Sequence, residues 1–154
     1  MARKEIDITI TEEGRDKGRT YHIREMGARQ AEKWATRALL AMGRSGAEIP
    51  DDLRGSGMAG IAAFGIKSLM TVDFADAEPL MDELLWCVRF RPDPKNPGFA
   101  RELLEDDIEE VATLLKLRSE VLSLHVSFSQ LVTKLKAYLT AVVASCLTTS
   151  TSRD

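Results

Sequence analysis

The sequence predicts a mainly helical α+β fold, with an N-terminal β-hairpin set on a helical bundle that ends in a long amphipathic helix or helix pair. Three observations predict it. Residues Glu5 to Thr11 alternate, with Ile6, Ile8 and Ile10 on one side and Glu5, Asp7 and Thr9 on the other, the period of a half-buried strand. From Leu114 the apolar residues step by three and four through Leu117, Val121, Leu124, Phe128, Leu131, Leu135, Tyr138 and Val142, the spacing that keeps one stripe of a helix facing a partner. No Gly or Pro follows Gly98, so the predicted helix from Leu104 to Val142 meets no breaker.

The hairpin comes first. After the Ile6–Ile10 strand, Glu12 to Gly18 forms a polar loop with two glycines, which supply the positive φ that tight reversals need. Arg19 to Met26 reads as the second strand, with Tyr21 and Ile23 alternating against Thr20, His22 and Arg24. A two-stranded hairpin is marginal in water and must lie on helices.

The period then changes. Ala31, Trp34, Ala35, Ala38, Leu39 and Met42 mark one face of a helix from Gly27 to Met42, which Gly43-Arg44-Ser45-Gly46 brings to a stop. Ala47 to Gly57, with Pro50, Gly55 and Gly57, reads as a loop. Met58 to Met70 is small and apolar with Gly60 and Gly65 inside, the composition of a buried helix in close contact with another backbone. Asp73 or Asp76 caps the next helix, Pro79 falls in its first turn, and Leu80, Leu84, Leu85 and Val88 form its inner face, widened by Trp86 and Cys87. The three prolines from Pro92 to Pro97 predict a stiff, extended connection. The last helical region opens with Glu102, Glu105, Asp106, Asp107, Glu109 and Glu110, acids that suit the positive end of a helix dipole. A second stripe (Leu104, Ile108, Val111, Leu115) widens its apolar face, and Ser127 with Gln130 fits a capping box that could divide it in two. Residues 1–147 read as one domain and 148–154 as a disordered tail.

Composition bounds the function. A chain of 154 residues with 44% hydrophobic and 29% charged residues is globular in character. A net charge of −3 argues against nucleic acid as the main partner, because phosphate binding needs concentrated positive charge. Cys87 and Cys146 lie far apart in apolar helical context and read as reduced thiols. No apolar run is long enough for a membrane span, and Met1-Ala2-Arg3-Lys4-Glu5 leads into no signal region, so a cytoplasmic protein is expected. His22 and His125, the two histidines, have no partner at metal-ligand spacing, and no Gly-x-Ser-x-Gly or phosphate-loop pattern occurs. No catalytic, cofactor or metal residues are assigned. The candidate partner-binding residues are the seam itself: Leu114, Leu117, Val121, Leu124, Phe128, Leu131 and Leu135. That seam reads equally as the interior of a bundle.

Two stretches together resemble the tail assembly chaperones of long-tailed bacteriophages. One runs from Lys4-Glu5-Ile6-Asp7-Ile8-Thr9-Ile10 through Ala31-Glu32-Lys33-Trp34-Ala35-Thr36-Arg37-Ala38-Leu39-Leu40. The other is Cys87-Val88-Arg89-Phe90 with Pro92-Asp93-Pro94-Lys95-Asn96-Pro97, followed by Glu105 to Val111 and Leu117-Arg118. The likeness covers roughly residues 4 to 128 and fades after that. It implies a non-enzymatic helper that coats the tape measure protein, helps recruit major tail tube protein subunits, self-associates, and works in the host cytoplasm without entering the mature virion. The heptad extension beyond Ser129 departs from the family pattern. The competing expectation is a small homo-oligomeric structural or connector protein of the tail.

Overall fold

The computed structural model describes residues 3–46 and 71–125. Strands β1 (Glu5–Thr9) and β2 (Thr20–Arg24) form the expected antiparallel hairpin, with Ile6 opposite Ile23 and Ile8 opposite Tyr21. The sheet does not stop at two strands. β3 (Val88–Arg91) pairs antiparallel with β2, and β4 (Arg101–Glu102) with β3, giving the order β1-β2-β3-β4. Three α-helices occur among the described residues: α1 (Ala28–Arg44), α2 (Phe74–Leu85) and α3 (Val111–His125). The class is therefore α+β.

The alternation of each strand decides which way its side chains go. Tyr21, Ile23 and Val88 are buried against the helices, whereas Arg24 and Arg89 are exposed on the other face. Helix α1 buries Trp34, Ala35, Ala38, Ala41 and Met42, as its period requires, with Ala31 and Leu39 packed at the margin. Trp34 is fully buried, and its Nε1–H donates to the Leu80 carbonyl 2.9 Å away, which ties α1 to α2. Gly46 ends the α1 turn at φ +77°, a conformation that costs an L side chain energy but not glycine.

Several expectations are corrected. Val88 is not on the inner face of a helix. Helix α2 ends at Leu85, Trp86 is 74% exposed, and the chain turns at Cys87 into β3. Pro79 is the sixth residue of α2, not in its first turn, because the helix begins at Phe74; the ring removes one N–H bond from the second turn. Asp73 holds the N-cap position but makes no side-chain capping bond, and its carbonyl accepts from Asp76 and Ala77 instead. The proline segment is no rigid rod. Asn96 N–H donates to the Asp93 carbonyl and Phe99 N–H to the Asn96 carbonyl, two successive reversals that bring β4 back beside β3.

The largest correction concerns residues 104–110, which do not open a helix. Glu105–Asp107 is a single 3₁₀ turn, Ile108 is extended, and α3 starts only at Val111. Asp107 accepts the Leu104 N–H at 2.6 Å and both Arg101 Nη atoms at 2.5 and 2.8 Å. These carboxylate bonds outcompete the α-helical pattern locally. Leu104, Ile108, Val111 and Leu115 accordingly do not share one helix face. The helix over Met58–Met70, the loop over Ala47–Gly57, the Ser127 capping box, Cys146 and the 148–154 tail lie outside the described residues, as does the seam from Phe128 onward.

Candidate partner-binding surfaces

Helix α3 begins where the hairpin loop meets it. Asp16, 1% exposed at the loop, accepts N–H bonds from Glu109 at 3.0 Å and Glu110 at 2.9 Å, on the residues just before the helix. Burial by itself pushes the Asp16 carboxyl up. The Glu109 N–H, the Thr113 hydroxyl, the Glu110 N–H and the Arg19 guanidinium outweigh it and hold the carboxyl below the ordinary range. Arg15 and Arg19 extend the junction: Arg15 Nε bonds Glu110 at 3.1 Å, and Arg19 Nη1 donates to the Asp106 carbonyl at 2.9 Å while Nη2 bonds Glu109. Within the acidic run, the Glu109 and Glu110 carboxylates and the Asp106 carbonyl thus accept from the hairpin's basic loop.

The seam residues divide. Leu117 and Val121 are fully buried in the core beneath the sheet, and Leu124 packs against that core from its margin. Leu114 is half-buried. Phe128, Leu131 and Leu135 lie outside the described residues. Within α3 the inward stripe is therefore an internal one, completed by Leu122, by Thr113 and by Arg118, whose guanidinium donates to the Met81 carbonyl at 3.2 Å. The apolar surface open to a partner is a different one. Val111 (72% exposed) and Leu115 (41% exposed) form an i, i+4 pair on the outer side of α3.

The C-terminal end of α3 is locked by His125. Its Nε2 accepts the Met26 N–H at 2.8 Å, and its Nδ1 lies 2.6 Å from the Val121 carbonyl. That pair of contacts demands the neutral Nδ1–H tautomer. Burial lowers the pKa of this histidine, more than the Val121 contact and Glu25 raise it. His22 instead lies on the outer sheet face, with Nδ1 2.8 Å from Asp7 Oδ1, an oxygen that Arg91 Nη2 also approaches at 3.0 Å.

The outer sheet face carries a second open surface. A groove of about 600 Å³ is lined by Arg3, Arg24, Arg89 and Arg91 against Glu5 and Glu25, with Trp86 on its wall. Arg91 is 5% exposed, and its Nε is buried without a hydrogen-bond partner. Sequence reasoning missed this groove because β3 went unread. The signal was there: Val88-Arg89-Phe90-Arg91 alternates apolar and basic immediately before Pro92. Among the described residues no three His, Cys, Asp or Glu side chains converge as a metal site, and no helix is long and apolar enough to cross a membrane.

Comparison with protein-family models, with curated proteins and with solved structures returns no match.

Proposed function

We propose that the chain is a non-enzymatic tail assembly chaperone of a long-tailed bacteriophage. It binds the tape measure protein, keeps that long helical client soluble in the host cytoplasm, and helps recruit major tail tube protein subunits. It leaves before the virion is complete. The observation that carries the reading is the exposed Val111–Leu115 pair on α3, an open apolar edge beside the inward heptad stripe of the same helix. A client rich in amphipathic helix is held by such an apolar edge. Many copies along one client gain avidity while each contact stays weak enough to release. In this reading the stripe beyond His125 belongs to a long amphipathic helix or helix pair that completes a bundle with α1–α3.

Co-expression of a tape measure protein with and without this chain tests the proposal. A client that is soluble only in the chain's presence supports it, and one insoluble in both cases counts against it. The alternative, a small homo-oligomeric structural or connector protein retained in the tail, is separated by mass spectrometry of purified virions, where a chaperone is missing.

A further inference from the structure

We propose that the groove on the outer sheet face receives a second copy of this chain, whose Leu104-Glu105-Asp106 turn seats between Arg89 and Trp86. The groove is a basic site on a chain of net charge −3. Two of its arginines are matched within the fold: Arg24 Nε lies 3.0 Å from Glu5, and Arg91 Nη2 lies 3.0 Å from Asp7. Arg89 makes no ion pair among the described residues; Glu102 is its neighbour in register across β3 and β4. Two positions along the same strand, Arg91 Nε adds a buried donor with no hydrogen-bond partner among the described residues. Trp86, 74% exposed, gives the same cavity an apolar wall.

The complementary surface is on the same chain. Leu104 is 63% exposed and stands beside the exposed Glu105 and Asp106, whose carboxylates have no partner among the described residues. Their backbone, by contrast, is held. Arg19 Nη1 binds the Asp106 carbonyl at 2.9 Å, the Tyr21 hydroxyl donates to the Asp107 carbonyl at 2.6 Å, and Asp107 fixes the Leu104 N–H. A rigid turn that presents one apolar and two acidic side chains loses little entropy on docking. It matches an indole wall beside unpaired guanidinium in both charge and polarity. None of residues 104–106 lines the groove. The two patches are therefore distinct, and the proposed contact seats one turn in one groove, head-to-tail, which leaves a free groove and a free turn and extends into rings or filaments. The contact needs no client and holds whether or not the chain serves one.

Sedimentation velocity on the full chain tests it. Wild type grows beyond dimer with concentration and dissociates in high salt, as a contact led by exposed charge must. Arg89→Ala spoils the groove and leaves the turn intact; Glu105→Ala with Asp106→Ala does the reverse. Each variant alone associates at least about tenfold more weakly, while circular dichroism and melting match wild type because all three positions are exposed. An equimolar mixture of the two variants, each neutral at its spoiled patch, forms a dimer of one copy of each and goes no further. Trp86→Ser weakens association without altering charge. A wild type that stays monomeric, variants that associate as wild type does, or a mixture that yields no mixed dimer each overturn the proposal.

Discussion

Asp16 Oδ2 lies 2.9 Å from the backbone nitrogen of Glu110, so a residue of the hairpin loop serves the start of a helix 94 positions away. The first N–H groups of any helix lack intrahelical acceptors, and a local Ser, Thr or Asp usually supplies one. Here Asp16 bonds the N–H groups of Glu109 and Glu110, on the two residues before α3, and the bonds join sheet to helix.

Removing that carboxylate should loosen the junction as a whole. Asp16→Ala is expected to cost about 2–3 kcal/mol in urea unfolding, at the upper end for a cap because the freed N–H groups are partly buried. Asp16→Asn keeps an acceptor oxygen and should cost less, about 1 kcal/mol. An unchanged midpoint for Asp16→Ala means the contact contributes nothing.

Acidity should act through His125. Its folded-state pKa is lowered chiefly by burial, so the fold favours the neutral ring. Its stabilisation is complete above the unfolded value, about 6.5, and declines as pH falls through that value toward the lower folded one. Protonation costs the Nε2 acceptor for Met26. Unfolding free energy measured from pH 7 to 5 is expected to fall in wild type, and His125→Gln should flatten the slope.

The Trp34 indole does two jobs that substitution can separate. Trp34→Phe preserves most of the buried ring but removes the indole N–H that bonds the Leu80 carbonyl, for an expected loss of about 1–2 kcal/mol. Trp34→Ala also opens a cavity among α1, α2 and the sheet and should cost about 3–5 kcal/mol. Thermal melts of the two variants should differ accordingly.

Client binding and folding should also separate along α3. Val111→Asp and Leu115→Asp change exposed positions and are expected to alter stability by no more than about 0.5 kcal/mol, yet to abolish solubilisation of a tape measure protein. Leu117→Ala, at a fully buried position, should destabilise the fold by about 2–5 kcal/mol. Equal solubilisation by the two aspartate variants and wild type moves the client site elsewhere.

Cys87 should be chemically silent in the native state. Burial, with a smaller contribution from Glu83, pushes its thiol up to about 11, so almost no thiolate is present at neutral pH. Peptide mapping after alkylation should show Cys87 modified in denaturant and spared without it.

What lay open in the sequence was whatever depends on a residue and its near neighbours. Period two in Ile6-x-Ile8-x-Ile10 and Tyr21-x-Ile23 specified the hairpin, and period 3.6 from Ala31 to Met42 specified α1 and its buried face, because each buried stripe repeats at the pitch of its own element. β3 was too short to stand out beside an apolar helix. The α3 seam showed its apolar spacing but not what covers it. Leu117 and Val121 meet the chain's own core while Val111 and Leu115 meet water, and spacing is the same in both cases.

By itself, then, the sequence determined the α+β class, the hairpin and the inward face of α1, all consequences of local periodicity. Only the tertiary structure decided that Arg15, Asp16 and Arg19 engage the acidic segment before α3, that this segment is a 3₁₀ turn and not a helix, and that Arg89, Arg91 and Trp86 share a groove. Those outcomes depend on charges and hydrogen-bond donors distant along the chain. Which pair meets is set by how the sheet and helices pack, and no local pattern records it.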